Sequence, residues 1–583
     1  MATGQLRVEV RTAREAIPIV GARIEYFVGS SQVAFRVTDA SGIAPAVEFD
    51  TPERALSLDA DYTGTPYSVC SIRITANRYR SVRIGGIQLL ADETAIQPVE
   101  MEPVIITIPV NERTPAVYDI PLHQLAAKEP HQAAEVGQPR ILDRVVVPEY
   151  ITVHLGRPDA SADNVTVTFP YYIKNVCCSE IYATWPENAI RANIYCQVSL
   201  ALNRVYTEWY RSRGYNFDIT NSTQFDQYYV RGRNIFENIS RLVDELFNKY
   251  LRREGSAEPY YAEYCNGTTA TCEGLKQWGT VQLAQQGYSP LSIVRYYYGS
   301  DISVQTAERI SGTISSYPGT ALRPGSSGSA VRTVQTQLTR IRRNYPLIPS
   351  PGSIDGVYGS ATQAAVRQFQ KIFSLSADGV VGSATWYKLS YIYAAVLRLA
   401  ELSSEGVPLV PSASPTDVLR RGDRGERVSL AQFMLTLAAQ FYQELSPIEI
   451  DGIFGQATHE AVVEFQNLRG LVADGVIGAE TWNQLYNTYY SVFDSLVSPS
   501  VPYPGTLLQN GSSGNSVAII QRMLNVISVF FPSIPRLNID GRYGPATAGA
   551  VRAFQELFGL RIDGIVGPDS WSRIVRTYDN LVI

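Results

Sequence analysis

IDGVYGSATQAAVRQFQ (354–370) and ADGVVGSATW (377–386) recur twice farther along the 583-residue chain. The second copy reads IDGIFGQATHEAVVEFQ (450–466) with ADGVIGAETW (473–482), and the third IDGRYGPATAGAVRAFQ (539–555) with IDGIVGPDSW (562–571). In every copy the second Asp-Gly follows the first by 23 residues (Asp355 to Asp378, Asp451 to Asp474, Asp540 to Asp563), and a Trp follows eight later (Trp386, Trp482, Trp571). A Gly-x-x-Gly opens each copy, at Gly325, Gly422 and Gly511, ahead of an amphipathic helical pattern. Constancy of this kind within one chain marks a triplication. A copy of about 70 residues is long enough for three helices with two turns and too long for a solenoid unit. The spacing therefore predicts three α-helical modules at 320–393, 416–490 and 506–580. The intervening EGVPLVPSASPTD (405–417) and SPSVPYPG (498–505) are Pro- and Ser-rich, so semi-stiff spacers and separate beads are expected. Within a module the repeated Asp is expected to cap a helix, the Gly to take positive φ and the Trp to fill a small core.

Upstream, LRVEVRT, ARIEYFV and VAFRVTD alternate apolar and polar positions within 1–104 and predict an all-β sandwich. Residues 105–149 carry Pro109, Pro115, Pro121, Pro130, Pro139 and Pro148 without a sustained period, which reads as a connector and a place for proteolysis. From 150 to 310 long helical patterns such as ENAIRANIYCQVSLALNRVYTEWYRSR predict an α+β domain, the candidate for chemistry. The fold class is thus multidomain: sandwich, α+β domain, three helical modules.

Composition narrows the partner. A formal charge of −5 with no basic block offers nucleic acid no electrostatic footprint. No run reaches the roughly 18 apolar residues of a membrane span, and the start MATGQ leads into a strand pattern instead of a signal-peptide core. The 36 Tyr against 19 Phe suit half-wet surfaces such as sugar faces, or the rims of small domains. Six Cys are too few for a disulfide scaffold and allow one or two local bridges or none; Cys265 and Cys272, closing a short loop, are the candidates, with Cys177, Cys178 and Cys196 expected as buried thiols.

One acidic residue stands out in SEIYATWPENAIRANIYCQ (179–197). Glu180 follows the apolar Val176-Cys177-Cys178 and precedes Trp185-Pro186. A carboxylate against apolar neighbours is desolvated in its charged form, which favours the proton a general acid must carry. The bland alternative is a helix-end cap or ion-pair partner.

Three resemblances bear on function. The repeated modules resemble the peptidoglycan-binding domain type 1 family of wall hydrolases, and residues 1–104 resemble carboxypeptidase-regulatory or transthyretin-like sandwiches. SEIYATWPENAIRANIYCQVSLALNRVY, followed about 90 residues on by GLKQWGTVQLAQQGYSPLSIVRYYYG (274–299), resembles the two signatures of the stage II sporulation protein D family in their order. That resemblance implies a lytic transglycosylase acting on glycan strands, with Glu180 as acid and then base. It implies Trp185, Gln277, Trp278 and Gly279 at the sugar cleft, with Tyr297 and Tyr298 beneath it. Such chemistry needs no second carboxylate, so Glu187, Glu208 and Asp218 are expected to be structural; Asn203, Arg204 and Tyr206 could face substrate or core. Some members carry a zinc site after the catalytic helix, but FDITNSTQFDQYYV (217–230) has neither His nor Cys, so no metal and no cofactor are expected.

The domain order is also similar to that of the spore cortex-lytic enzymes. This implies a zymogen acting in cortex or wall during germination, cut by a subtilisin-like germination protease near Arg140 to Val147. The alternatives are a non-catalytic wall-binding factor and a hydrolytic muramidase.

Overall fold

The computed structural model describes residues 2–104, 114–123, 144–270, 272–311, 316–404, 418–497 and 501–581. The chain is multidomain, with a sheet-rich N-terminal region and helical C-terminal modules. Two five-stranded sheets organise the N-terminal region, the first counting one strand from the central domain. The long strand Ala2–Thr12 organises the first, pairing in parallel with Thr94–Glu100 on one side and antiparallel with Val47–Thr51 on the other. The second sheet is antiparallel through Ser31–Val37, Arg23–Val28, Ser68–Thr75 and Val82–Leu89, and Ala116–Asp119 adds in parallel at its edge.

That last strand lies inside the stretch read as connector. Ala116 and Ile120 are buried, and this anchors the segment to the sandwich. The expected processing region divides: 140–143 lie outside the described residues, while Val146–Val147 pair with Arg309–Ile310 of the central domain. The central domain also reaches into the N-terminal region, because Ile235–Phe236 extends the first sheet beside Thr94–Glu100.

Five helices position the central chemistry: α1 (Phe169–Glu180), α2 (Glu187–Tyr206), α3 (Glu237–Leu246), α4 (Gln277–Gln285) and α5 (Pro290–Tyr298). α2 packs against the other four and is buried nearly all round. Burial on every face marks it as a core helix, and its buried Asn193, Gln197, Asn203 and Arg204 each find a hydrogen-bond partner.

Each module is three helices braced by glutamines. In the first, Gln335 donates to Asp355 Oδ1 and to the Val357 carbonyl, both at 3.0 Å, while its carbonyl accepts Gly356 N at 2.8 Å. Gln370 repeats the arrangement on Asp378, Val380 and Gly379. The pattern recurs through Gln432 and Gln466, and again through Gln521 and Gln555. Gly356 and Gly379 sit at φ +79° and +73°, so a Cβ is disfavoured there. The Asp carboxylates cap these turns, not helices: Asp355 Oδ1 accepts Val357 N at 2.8 Å, and Gly359 takes the helix N-cap position. The three Trp are buried, as the core role requires.

The modules do not hang as separate beads. One apolar core runs through the N-terminal region, the central domain and the first two modules, and the third module forms a second core with Val20 and Ala40. A turn at Ala13, Arg14 and Glu15, with φ of 56°, 51° and 65°, is the meeting point. Arg14 donates to the carbonyls of Ala439 (2.8 Å), Leu445 (3.0 Å) and Thr166 (3.1 Å), and Glu15 pairs with Lys388 at 2.8 Å. Apolar surface on the outside of each module outweighs the freedom of the spacers.

Candidate functional site

Glu180 is the last residue of α1 and is fully buried. Thr168 caps the start of the helix and Pro170 presets its first turn, so the helix delivers Glu180 at a defined end. Its Oε2 accepts from Gln197 Nε2 at 2.9 Å and from the Tyr264 hydroxyl at 2.7 Å; its Oε1 accepts Tyr228 N at 2.9 Å. Gln197 comes from the middle of α2, and Gln227 binds the group together. Gln227 donates to the Gln197 carbonyl (3.1 Å) and to the Tyr264 oxygen (3.0 Å), and accepts from Tyr172 (3.0 Å). Since Tyr264 oxygen already receives the Gln227 proton, its own hydroxyl hydrogen points at Glu180. Burial and then the charge of Glu180 push the Tyr264 phenol well above its usual range, so it keeps that hydrogen.

The next acid in this network is already engaged. Asp226 takes Arg204 Nε at 2.7 Å on one oxygen, and the Tyr210 hydroxyl (2.6 Å) and Thr220 N (3.0 Å) on the other. This answers the question left by periodicity. Arg204 faces inward, Asn203 donates to the Pro259 carbonyl at 2.9 Å, and Tyr206 is buried. Glu187 pairs with Arg191 and Arg241, and Asp218 with Arg211.

The strand Tyr264–Cys265 pairs in parallel with Leu275–Lys276, which leads directly into α4. A disulfide joins Cys265 to Cys272 across this loop. The pairing brings Gln277 and Trp278 to the same end of the domain as Tyr264. Trp278 packs on Trp185 with ring centroids 4.9 Å apart, and Tyr182 closes the aromatic group at 6.1 and 6.3 Å. A Cβ on Gly279 would meet the Tyr297 hydroxyl oxygen at 2.1 Å, so the visible role of this glycine is to admit Tyr297. Cys177, Cys178 and Cys196 are buried thiols outside the disulfide; burial pushes Cys178 up to about 12 and keeps it protonated.

Trp185 and Trp278 are 2% and 7% exposed, and Gln277 is fully buried. The N-terminal region covers Trp185 and the adjoining Tyr182. The one-turn helix Arg54–Leu58 lies over Trp185: its Ser57 carbonyl accepts Trp185 Nε1 at 3.1 Å, Ser57 Oγ meets Thr184 Oγ1 at 2.7 Å, and Arg54 donates to the Thr184 carbonyl at 3.0 Å. His123 stacks on Tyr182 with centroids 4.3 Å apart and places Nε2 3.2 Å from the Ile181 carbonyl. Burial and then Arg233 lower the His123 imidazole to about 3, so it is neutral and Nε2 carries the hydrogen. Beside this cover is a depression of about 410 Å³ lined in part by Arg54, Trp185, Glu187, Arg241 and Gln285.

Gln197, Tyr228 and Tyr264 lie 17, 48 and 84 residues from Glu180, and no local pattern announces them. Among the described residues no group of three or more His, Cys, Asp or Glu could hold a metal ion, and no helix is long and apolar enough to cross a membrane.

Comparison with known proteins bears first on the repeats. Residues 327–389, 424–485 and 513–574 match the family model described as "Putative peptidoglycan binding domain". The three C-terminal modules are peptidoglycan-binding domains. Among similar curated proteins, N-acetylmuramoyl-L-alanine amidase CwlL of Bacillus licheniformis is 33% identical over 175 residues, 28% of this chain and 46% of that protein. A spore cortex-lytic enzyme of Halalkalibacterium halodurans is 30% identical over 83 residues, 14% of this chain and 24% of that protein. The chain spans under half the length of these relatives. The crystal structure of SleB N-terminal domain is 30% identical, covering 13% of this chain and 97% of that one at a TM-score of 0.12.

Proposed function

We propose that this protein is a peptidoglycan-lytic enzyme of the cell wall or spore cortex whose central domain cleaves the glycan strand as a lytic transglycosylase. The single observation that carries the reading is Glu180, one buried carboxyl held by three donors at the end of α1. In the proposed reaction its acid form protonates the glycosidic oxygen, and the bond from that oxygen to the muramyl anomeric carbon breaks. Its carboxylate then removes the proton of the muramyl hydroxymethyl group, and that oxygen closes on the anomeric carbon to leave an anhydro end. The proton count balances within one residue, so the second carboxylate of an ordinary glycosidase has no task. The engagement of Asp226 with Arg204, Tyr210 and Thr220 agrees with this. Trp185, Gln277 and Trp278 would line the sugar site once uncovered.

The cover supports the zymogen part of the proposal. Residues 1–104, with 114–123, act as a pro-region whose Ser57 and His123 contacts close the site until a protease, subtilisin-like by the family resemblance, cuts the connector at 105–149. Three wall-binding modules in series raise the local concentration of glycan by avidity. Solution partners are therefore glycan strands and the processing protease.

Glu180→Gln is expected to abolish release of anhydro-muramyl ends from purified cortex or sacculi while leaving sedimentation with sacculi unchanged. Lysis by that variant would overturn the reading. The amidase relatives favour a second reading, cleavage between N-acetylmuramoyl and L-alanine. Product analysis separates all the readings: anhydro ends mean transglycosylation, reducing ends a muramidase, new alanine amino groups an amidase, and no fragments a wall-binding factor.

A further inference from the structure

A cavity of about 590 Å³ opens where the N-terminal region, the first module and the third module meet. Its volume lies within the range of small-molecule sites. Its walls carry four arginines, Arg78, Arg343, Arg573 and Arg576, against two carboxylates, Asp569 and Asp579. The lining is therefore positive by two in a chain whose formal charge is −5.

The walls are held in place by polar contacts. Asn77 N donates to Asn580 Oδ1 at 2.9 Å, Asn580 Nδ2 donates to the Val20 carbonyl, and Asn344 Nδ2 donates to the Ala16 carbonyl at 3.0 Å. Arg573, Arg576 and Asn580 share one face of the helix Pro568–Leu581, at the spacing of successive turns. At other domain junctions arginines are matched with acids, Arg7 with Glu237, Arg231 with Glu444 and Arg398 with Glu149, or, like Arg14, with carbonyls. Here the Arg343 and Arg573 guanidiniums have neither an ion-pair nor a hydrogen-bond partner among the described residues.

We propose that this cavity binds a small anion carrying two or more carboxylate or phosphate groups, and that the anion ties the N-terminal region to the first and third modules. The planar guanidinium fork matches exactly these oxyanions, and two negative groups would neutralise the excess charge of the lining. Burial first, and then the neighbouring Arg576, lower the Arg573 guanidinium to about 10. An anion between them would relieve their repulsion. The inference does not depend on the chemistry at Glu180.

The test uses the full chain in calorimetric titrations with citrate, with inorganic pyrophosphate and with soluble muropeptides, at ionic strength held constant with sodium chloride. Saturable one-to-one binding is expected for at least one of these, weakened at least tenfold by Arg573→Gln and by Arg343→Gln. Arg343 is exposed, so its variant keeps the fold if the helix of Arg573 does not tolerate change. Binding of citrate or pyrophosphate alone would name a soluble ligand, and binding of muropeptides alone would name wall carboxylates. Titrations indistinguishable from chloride for all three, or binding unchanged in both variants, would overturn the proposal.

Discussion

Removing the hold of the Arg54–Leu58 turn on Trp185 should activate the uncut chain. The double variant Arg54→Ala with Ser57→Ala deletes the Arg54 bond to the Thr184 carbonyl (3.0 Å) and the Ser57–Thr184 hydroxyl bond (2.7 Å), while the backbone contact from Ser57 to Trp185 stays. A neutral hydrogen bond is worth about 1 kcal/mol net and one from a charged donor about 1.5 to 3. The loss is therefore about 2.5 to 4 kcal/mol, and at about 1.4 kcal/mol per factor of ten the open population should rise about 60- to 700-fold. Two measurements read it. Hydrogen exchange of the amides at 181–185 should quicken by that factor if local opening governs it, and release of fragments from cortex by the uncut variant should rise toward that of protein cut in the connector. Unchanged exchange at 181–185 would refute the geometry of the cover. Faster exchange with no gain in activity, while the cut protein is active, would refute its inhibitory role.

Other outcomes follow from different contacts. Burial and then Glu15 raise the Glu100 carboxyl to about 7, where it accepts Glu15 N at 2.8 Å beside the Arg14 turn. The folded state then holds a proton that the unfolded chain gives up near its ordinary carboxyl range. This stabilisation is full below about 4.5, lost as pH rises through 7, and at most about 3 kcal/mol. The melting temperature should fall between pH 5 and 8, and Glu100→Gln should flatten that fall. In the third module Gln521→Leu leaves Gly541 N without its acceptor and takes one of two donors from Asp540 Oδ1, the Arg542 N–H remaining, so about 2 to 4 kcal/mol should be lost from that module in urea unfolding. Arg14→Met strands three buried carbonyls, and proteolysis within 405–417 should speed up without change at the Glu180 site.

The repeats were legible because their signals are local. Asp-Gly turns need positive φ at Gly356 and its equivalents, and Trp386, Trp482 and Trp571 fill cores too small to lose them. The Glu180 segment was legible in part. Its apolar approach and the Trp185-Pro186 helix entry are contiguous, but Gln197, Tyr228 and Tyr264 arrive from elements up to 84 residues away. The strand Ala116–Asp119 was missed because four residues of parallel pairing leave little trace among the prolines.

Sequence alone therefore determined the order of the parts, the triplicated helical modules and Glu180 as the acid to consider, since each rests on spacing along one stretch of chain. Only the tertiary structure decided that the first two modules dock on the Arg14 turn and the third on Val20 and Ala40, that Ser57 and His123 close over Trp185 and Tyr182, and that four arginines share one cavity. Those contacts join residues up to several hundred positions apart, and burial of apolar surface between domains, which no local pattern encodes, brings them together.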